Sequence, residues 1–274
     1  MNIKKISLAL SCLFFGYNSL YSKDWADKKD KMPSFFVGVN VGTFFANNNT
    51  AALYDGSEKF TPYGVNYILT RPANYSVFLN YFNQNYTLEE LPQNPSYSIA
   101  LDLGLHAGFH LGSISSIFVD INLSNLAVKD VFTVLIDDPN NRAIEPIYEQ
   151  IPIYGEEKRI NINLGNQLNF FNKNNTTLYW SLFGNFNTIQ LERNYFVIDN
   201  KEYEIAHITA LQPDVKPNGI GYGVGTGLGF KYQLAPQVKT DLTYNFYYIK
   251  TRINDNLNEF GSNNGIKLRI IWEY

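Results

Sequence analysis

From Ile266 to Tyr274 the chain alternates: Ile266, Leu268, Ile270, Trp272 and Tyr274 are apolar or aromatic, and Lys267, Arg269, Ile271 and Glu273 stand between them. Side chains on a strand point to opposite faces in turn, so this segment carries an unbroken apolar stripe on one side and mostly charge on the other. A stripe that closes on an aromatic residue, backed by cations and a carboxylate, fits a strand with lipid outside and a polar lumen inside. Lipid offers unpaired backbone groups no partner, so strands of this kind have to close into a barrel.

The alternation recurs along the chain. A first strand is predicted over Phe35–Phe45, with Phe35, Val37, Val39, Val41 and Phe45 on one face. The clearest is Tyr97–Leu111, where Tyr97, Ile99, Leu101, Leu103, Leu105, Ala107, Phe109 and Leu111 alternate with Ser98, Ala100, Asp102, Gly104, His106, Gly108 and His110. Further strands are expected over Ile114–Ser124, Arg159–Phe171, Thr177–Thr188, Gly219–Leu234, Val238–Lys250 and Gly265–Tyr274. Two weaker ones, Tyr63–Leu69 and Tyr75–Tyr81, keep period two and join at Arg71-Pro72-Ala73-Asn74. That gives ten strands, or eight if the weak pair lies within one long loop. The expected class is an all-β, transmembrane, antiparallel up-and-down barrel, and ten is preferred because eight needs a first loop from Ala46 to Ser96.

Connection lengths support this class. Short turns fall at Arg71–Asn74, Gly112–Ile114, Asn172–Asn175 and Ala235–Gln237. Long ones fall at Ala46–Thr61, Asn85–Ser96, Asn125–Lys158, Ile189–Asn218 and Thr251–Asn264. Short periplasmic turns alternating with long extracellular loops are the asymmetry of outer-membrane barrels. Within the third long connection, Val131–Ile136 and Ile147–Tyr154 are expected to extend strands beyond the membrane, since Pro146 and Pro152 spoil them as central spans.

The amino terminus points to the same destination. A basic start with Lys4 and Lys5 precedes an apolar run from Ile6 to Tyr17, too short to span a bilayer as a helix. Residues 1–22 read as a secretory signal cut after Ser22, 23–34 as a periplasmic segment and 35–274 as one barrel domain. Cys12, the single cysteine, raises a lipoprotein alternative, which the apolar run continuing through Leu13, Phe14 and Phe15 disfavours. No later segment approaches the roughly 18 unbroken apolar residues of a membrane helix. The 20 Tyr and 20 Phe suit interfacial girdles, and a net charge of −3 lacks the basic footprint of nucleic-acid binding.

On these strands and loop lengths the chain resembles small bacterial outer-membrane barrels of the OmpA and OmpX type, with an Asn-, Tyr- and Phe-rich style similar to surface proteins of Helicobacter and Campylobacter. The resemblance implies a multi-pass location in the outer membrane, contact with its lipid and lipopolysaccharide, and delivery by the barrel assembly machinery. Ile266, Leu268, Ile270, Trp272 and Tyr274 would then be the assembly signal. Some such barrels are enzymes, and of their signatures the phospholipase triad of Ser, His and Asn is left open by sequence, whereas two others are not met. The Asp-x-His of omptin proteases is missing, with Glu204 three residues before His207, and the His-x-Ser of lipid-A deacylases fails at His106, His110 and His207. No catalytic role, metal or cofactor is expected.

The lumen residues are the remaining candidates. His106 and His110 both face inward but lie about 13 Å apart at roughly 3.3 Å per residue, too far to share a metal. Keeping both lipid faces apolar across the Gly112–Ile114 turn sets Leu111 opposite Ser115, His110 opposite Ser116 and His106 opposite Asp120. A His106–Asp120 lumen pair is therefore expected. Asp102, Asp120, Asp241 and Glu273 face Arg159, Lys231, Lys239, Lys267 and Arg269, a mixture that suits internal ion pairs better than a selective filter. Gly221, Gly223, Gly225, Gly227 and Gly229 form an inward stripe, to be covered by Phe36, Phe44, Tyr179 and Phe183 or by water. Asn125–Lys158 carries Asp130, Asp137, Asp138, Glu145, Glu149, Glu156 and Glu157, either a solvated loop or a surface for cations or a basic partner. The expected role is structural or surface interaction through the loops, with a small channel as the alternative.

Overall fold

The computed structural model describes residues 34–141, 145–173, 175–205, 217–253 and 257–274. The expected signal segment 1–22 and residues 23–33 lie outside these, as do Arg142 and His207.

Ten strands form one antiparallel sheet: β1 (Phe35–Phe45), β2 (Asn85–Glu90), β3 (Ala100–His110), β4 (Ser115–Asp137), β5 (Ile147–Lys173), β6 (Thr176–Ile198), β7 (Lys201–Glu204), β8 (Asn218–Ala235), β9 (Val238–Lys250) and β10 (Phe260–Glu273). Eight of them close a ring in the order β4-β3-β1-β10-β9-β8-β6-β5, sealed by the β4–β5 pairing. The other two, β2 and β7, pair with β4 and β6 on their extracellular extensions. The first strand meets the last over its whole length, with Phe36 opposite Glu273 and Phe45 opposite Asn264.

The outer face of the ring is apolar where it crosses the membrane. Leu101, Leu105, Ile121, Leu164, Val224 and Leu268 stand exposed between two aromatic girdles. Phe35, Phe109, Phe170, Tyr232, Trp272 and Tyr274 form the periplasmic one, and Phe45, Phe186, Tyr222, Tyr248 and Phe260 the extracellular one. Tyrosine and tryptophan favour this boundary because they have an apolar body and a polar tip. Beyond the upper girdle the outward positions of β4, β5 and β6 turn polar, with Lys129, Lys158, Gln190 and Arg193, so the strands leave the lipid there.

Two segments expected to be strands are helices. Tyr63–Leu69 and Tyr75–Tyr81 fall on α1 (Val65–Thr70) and α2 (Pro72–Phe82). An aromatic-rich run satisfies period two and period 3.6 at once, and the helical choice aligns Val65, Ile68, Leu69, Phe78 and Phe82 on one buried side. Local chemistry agrees with the helix. Arg71, before a proline, is extended, Pro72 occupies the first turn without forfeiting a bond, and Asn83 ends α2 in the left-handed region at φ 56°. The Arg71–Asn74 turn is thus a helix–helix junction outside the membrane.

The helices cover an extracellular sheet of order β2-β4-β5-β6-β7, built on strands that overrun the membrane. Asn125–Lys158 is accordingly a long hairpin more than a loop, with β4 and β5 paired from Ser115–Leu168 up to Ile136–Ile147. Its inward face presents Phe132, Val134, Ile151 and Ile153, which with Phe196, Tyr203, Phe78 and Phe82 make a hydrophobic core outside the bilayer. This is a small α/β cap. Phe196 is fully buried there and stacked 5.3 Å from Tyr203, and its burial alone is worth about 1.5–3 kcal/mol.

Phe196→Ala should cost the cap about 3–5 kcal/mol and leave the ring intact. Limited proteolysis of the folded protein would show new cleavage in the cap, while the heat-modifiable barrel band on a gel stays unchanged. Tyr86 provides a pH test. Burial, assisted by Tyr75, pushes its hydroxyl up to about 12, and it donates to the Leu69 carbonyl at 2.8 Å. An unfolded tyrosine ionises near 10, so the contribution of Tyr86 is full below about pH 10 and is lost as pH rises towards 12. Tyr86→Phe should lower cap stability at neutral pH by about 1 kcal/mol and reduce its alkaline loss, both measurable by protease protection.

Candidate functional site

Inside the ring, each strand contributes the side chains opposite its lipid-facing set, and these are mostly polar. Arg269 on β10 is the centre. Its Nη2 donates to Asp120 Oδ2 at 2.9 Å and its Nη1 to Asp241 Oδ2 at 3.0 Å. Tyr179 Oη lies 2.8 Å from both oxygens of Asp241, and Arg269 Nη1 also reaches Tyr179 at 3.2 Å. Asp120 is shared, since Nδ1 of His106 lies 2.5 Å from its other oxygen. Strand register sets His106 across from Asp120 and Arg269 across from Asp241, so adjacent-strand geometry holds the network.

A second pair lies beside the first. Lys267 Nζ is 3.1 Å from Asp102 Oδ2, and Ser124 donates to Asp102 at 2.6 Å. At the periplasmic end, His110 lies 2.7 Å from Ser116 and 3.0 Å from Glu273, which also takes Lys239 at 2.7 Å. His106, Asp120, Asp102, Asp241, Lys267 and Arg269 are each at most 3 % exposed, so they are shielded from bulk solvent. Buried charges are tolerable only when paired in this way.

Aromatic rings occupy the remaining space. Phe36 stacks 5.1 Å from His106 and lies 4.9 Å from His110, and Phe118, Phe183, Tyr247 and Phe44 form a core above them. The glycine stripe of β8 lies beneath side chains of its neighbours. A methyl added at Gly225 would meet the Phe183 ring, one at Gly229 the Tyr179 ring, and one at Gly221 the Asn187 amide. Tyr179 and Phe183, both on β6, therefore cover the stripe, while Phe36 and Phe44 fill the lumen elsewhere. An asparagine ladder adds to the filling: Asn185 Nδ2 donates to Asn163 at 2.8 Å, and Asn187 Nδ2 to Asn185 at 3.0 Å. The signal for it was in the sequence, as Asn161, Asn163, Asn185 and Asn187 all occupy inward positions of period two.

The extracellular mouth is closed by the first loop. A 3₁₀ turn at Ala51–Tyr54 enters the opening, and the Tyr54 ring lies against Gly155, where any side chain would collide with it. Arg159 sits beneath: its Nε donates to Glu157 at 2.5 Å, its Nη2 to Thr50 at 2.8 Å, and its guanidinium lies 5.1 Å from the Tyr97 ring centre. Tyr97 also donates to Glu157 at 2.6 Å. Glu157, expected in a solvated acidic loop, is 1 % exposed. A bulge between Glu156 and Glu157 shifts the pairing with β6 there, with Glu156 opposite Arg193 and Glu157 opposite Leu191. Among the described residues, no group of three or more His, Cys, Asp or Glu side chains is placed to hold a metal ion.

No family model and no curated protein matches the chain. Among solved structures it is similar to Neisserial surface protein A, at 11 % identity over 89 % of this chain and 100 % of that one, with a TM-score of 0.47. It is also similar to OprG of Pseudomonas aeruginosa (11 % identity, 89 % and 97 %, TM-score 0.40) and to Ail of Yersinia pestis in complex with sucrose octasulfate, a heparin analogue (7 %, 89 % and 100 %, TM-score 0.38). The chain's own closed ring, apolar belt and paired girdles make it a multi-pass outer-membrane β-barrel.

Arg269→Gln would leave Asp120 and Asp241 buried without their shared cation, at a cost of about 3–5 kcal/mol. The measurement is the urea midpoint of the refolded protein in detergent. A shift no larger than that of an exposed substitution such as Lys129→Gln would show that the network does not hold the ring.

Proposed function

We propose that this protein is a filled barrel that acts at the cell surface, by binding a partner through its cap and loops. The observation that carries the reading is the cap's hydrophobic core, a folded layer built outside the membrane on strands longer than a crossing requires. A pore needs no such addition, whereas recognition benefits from a rigid support for surface side chains.

The cap offers two kinds of contact. Its helices present Tyr67, Tyr75, Val77 and Tyr81 to solvent, a set without charge. Tyr81 donates to Glu149 at 2.8 Å, and the ends of β4 and β5 carry Asp137, Asp138 and Glu145 against the exposed Arg71 at the helix junction, a balance that favours a partner carrying positive charge. Outer-membrane lipid and lipopolysaccharide would surround the belt. Ile266, Leu268, Ile270, Trp272 and Tyr274, all on the lipid face, would be read by the barrel assembly machinery. No catalysis is assigned, and the His106–Asp120 pair is taken as structural, joining two strands to Arg269.

The refolded protein should be silent in a planar bilayer, with insertion confirmed in the same membrane. Discrete and reproducible steps would overturn the filled-barrel reading in favour of a small channel for ions or solutes, with Asp102, Lys231 and Arg269 as the residues to substitute next.

A further inference from the structure

Lys231 departs from the pairing that governs the rest of the lumen. It is 5 % exposed, and its Nζ donates to a neutral acceptor, Gln167 Oε1, at 3.0 Å. Two aromatic faces lie near it, Tyr179 at 5.0 Å and Phe36 at 5.6 Å to the ring centres. The carboxylate across the strand belongs to Asp241, but its oxygens are engaged by Tyr179 and Arg269. Among the described residues, Lys231 forms no ion pair within 4.0 Å, whereas Lys267, Arg269 and Arg159 all do. A cation so buried attracts an anion strongly when one can reach it.

One can reach it from the periplasm. Lys231 lines a cavity of about 90 Å³ at that end of the barrel, together with Asn172, Asn175, Thr177, Gln233 and Lys239. Each of these side chains can donate a hydrogen bond, and none is an acid. Asp241 is engaged as above, and the other acid at this end, Glu273, is already held by Lys239 at 2.7 Å and His110 at 3.0 Å. A space of this size holds a small anion or the phosphate of a headgroup and excludes anything as large as a nucleotide. Thr177 already donates to Asn172 and Gln233 to Pro236, which leaves the two ammonium groups and the Asn172 and Asn175 amides to turn to an incoming anion, and such converging cationic and amide donors suit the oxygens of a phosphate.

We infer that the periplasmic mouth of the barrel is a phosphate-binding site, with Lys231 as its buried anchor and Lys239 at its rim. The ligand is a phosphate group, carried either by a free anion or by a lipid headgroup of the periplasmic leaflet. The site is independent of the cap and of whatever the cap binds.

The test uses the refolded full chain in a non-ionic detergent, titrated with inorganic phosphate and followed by ³¹P NMR and calorimetry. Saturable binding at one site per barrel is expected, weakened by added salt and at least tenfold by Lys231→Met. Lys239→Gln should weaken it less, and Lys129→Gln on the extracellular strand extension should leave it unchanged. A heat-modifiability gel confirms folding of each variant, and Lys231→Arg, which keeps the charge, should retain binding if Lys231→Met fails to fold. Native mass spectrometry separates the sources. Phospholipid retained by the native protein and absent from Lys231→Met identifies a headgroup, and phosphate binding without retained lipid identifies the free anion. Non-saturable uptake, or equal binding by Lys231→Met, would overturn the inference.

Discussion

Everything in this molecule follows from the need to pair every backbone amide and carbonyl within the lipid. Eight strands meet that need only by closing on themselves, and the β1–β10 and β4–β5 ladders complete the circle. Closure at this number leaves an interior just wide enough for side chains to fill. The inward residues must then satisfy one another, and they do so through an alternation of charge with opposite charge around Arg269, a ladder of asparagines, and rings laid over glycine. Side chains from the two halves of the ring thus hold each other in place: Arg269 on β10 engages Asp120 on β4, three strands away around the ring, and Asp241 on the adjacent β9.

The crossing strands were legible because each obeys two requirements at once, apolar to lipid and polar to lumen. Val238–Lys250 coincides with β9 in full, and Tyr97–Leu111 with β3 to within its ends. Legibility weakened where only one face carries a requirement, although the extensions expected at Val131–Ile136 and Ile147–Tyr154 do fall on β4 and β5. Above the membrane the outward side of β4 and β5 meets water, so the strict pattern lapses although the strands continue. The pair expected at Tyr63–Leu69 and Tyr75–Tyr81 failed for another reason: rings at alternate positions also fall on a helical face, and what decided between them was the apolar surface of Phe132, Ile153 and Phe196, far away in sequence. Ten strands are present, but the last two are the short β2 and β7 beside the ring.

Among the lumen residues, sequence indicated sides more readily than partners. The inward orientation of Asp102, Lys231, Lys267 and Arg269 follows from parity alone. Which carboxylate each cation meets depends on more than register: Asp241 lies across from both Lys231 and Arg269, and it bonds to Arg269 and Tyr179. Glu157 was missed because its stretch was read as loop: it shares the inward parity of Arg159, which runs unbroken along β5 from Ile151 to Asn163, and the register shift beside it places the extra residue on β6. The cover of the glycine stripe depended on knowing that β6 is the neighbour of β8, a fact of topology that skips the short β7.

The overrun of β4 and β5 has a mechanical meaning. From Ile160, the last lipid-facing aliphatic residue of β5 on that side, to Ile147 at its start, the strand adds roughly 40 Å of contour at about 3.3 Å per residue. Doubly paired over this distance, with β4 on one side and β6 along much of the other, the extension is a mast more than a tether. Height and heading are therefore set by strand pairing: whatever meets the tyrosines of α2 does so at an elevation that the paired strands hold above the bilayer.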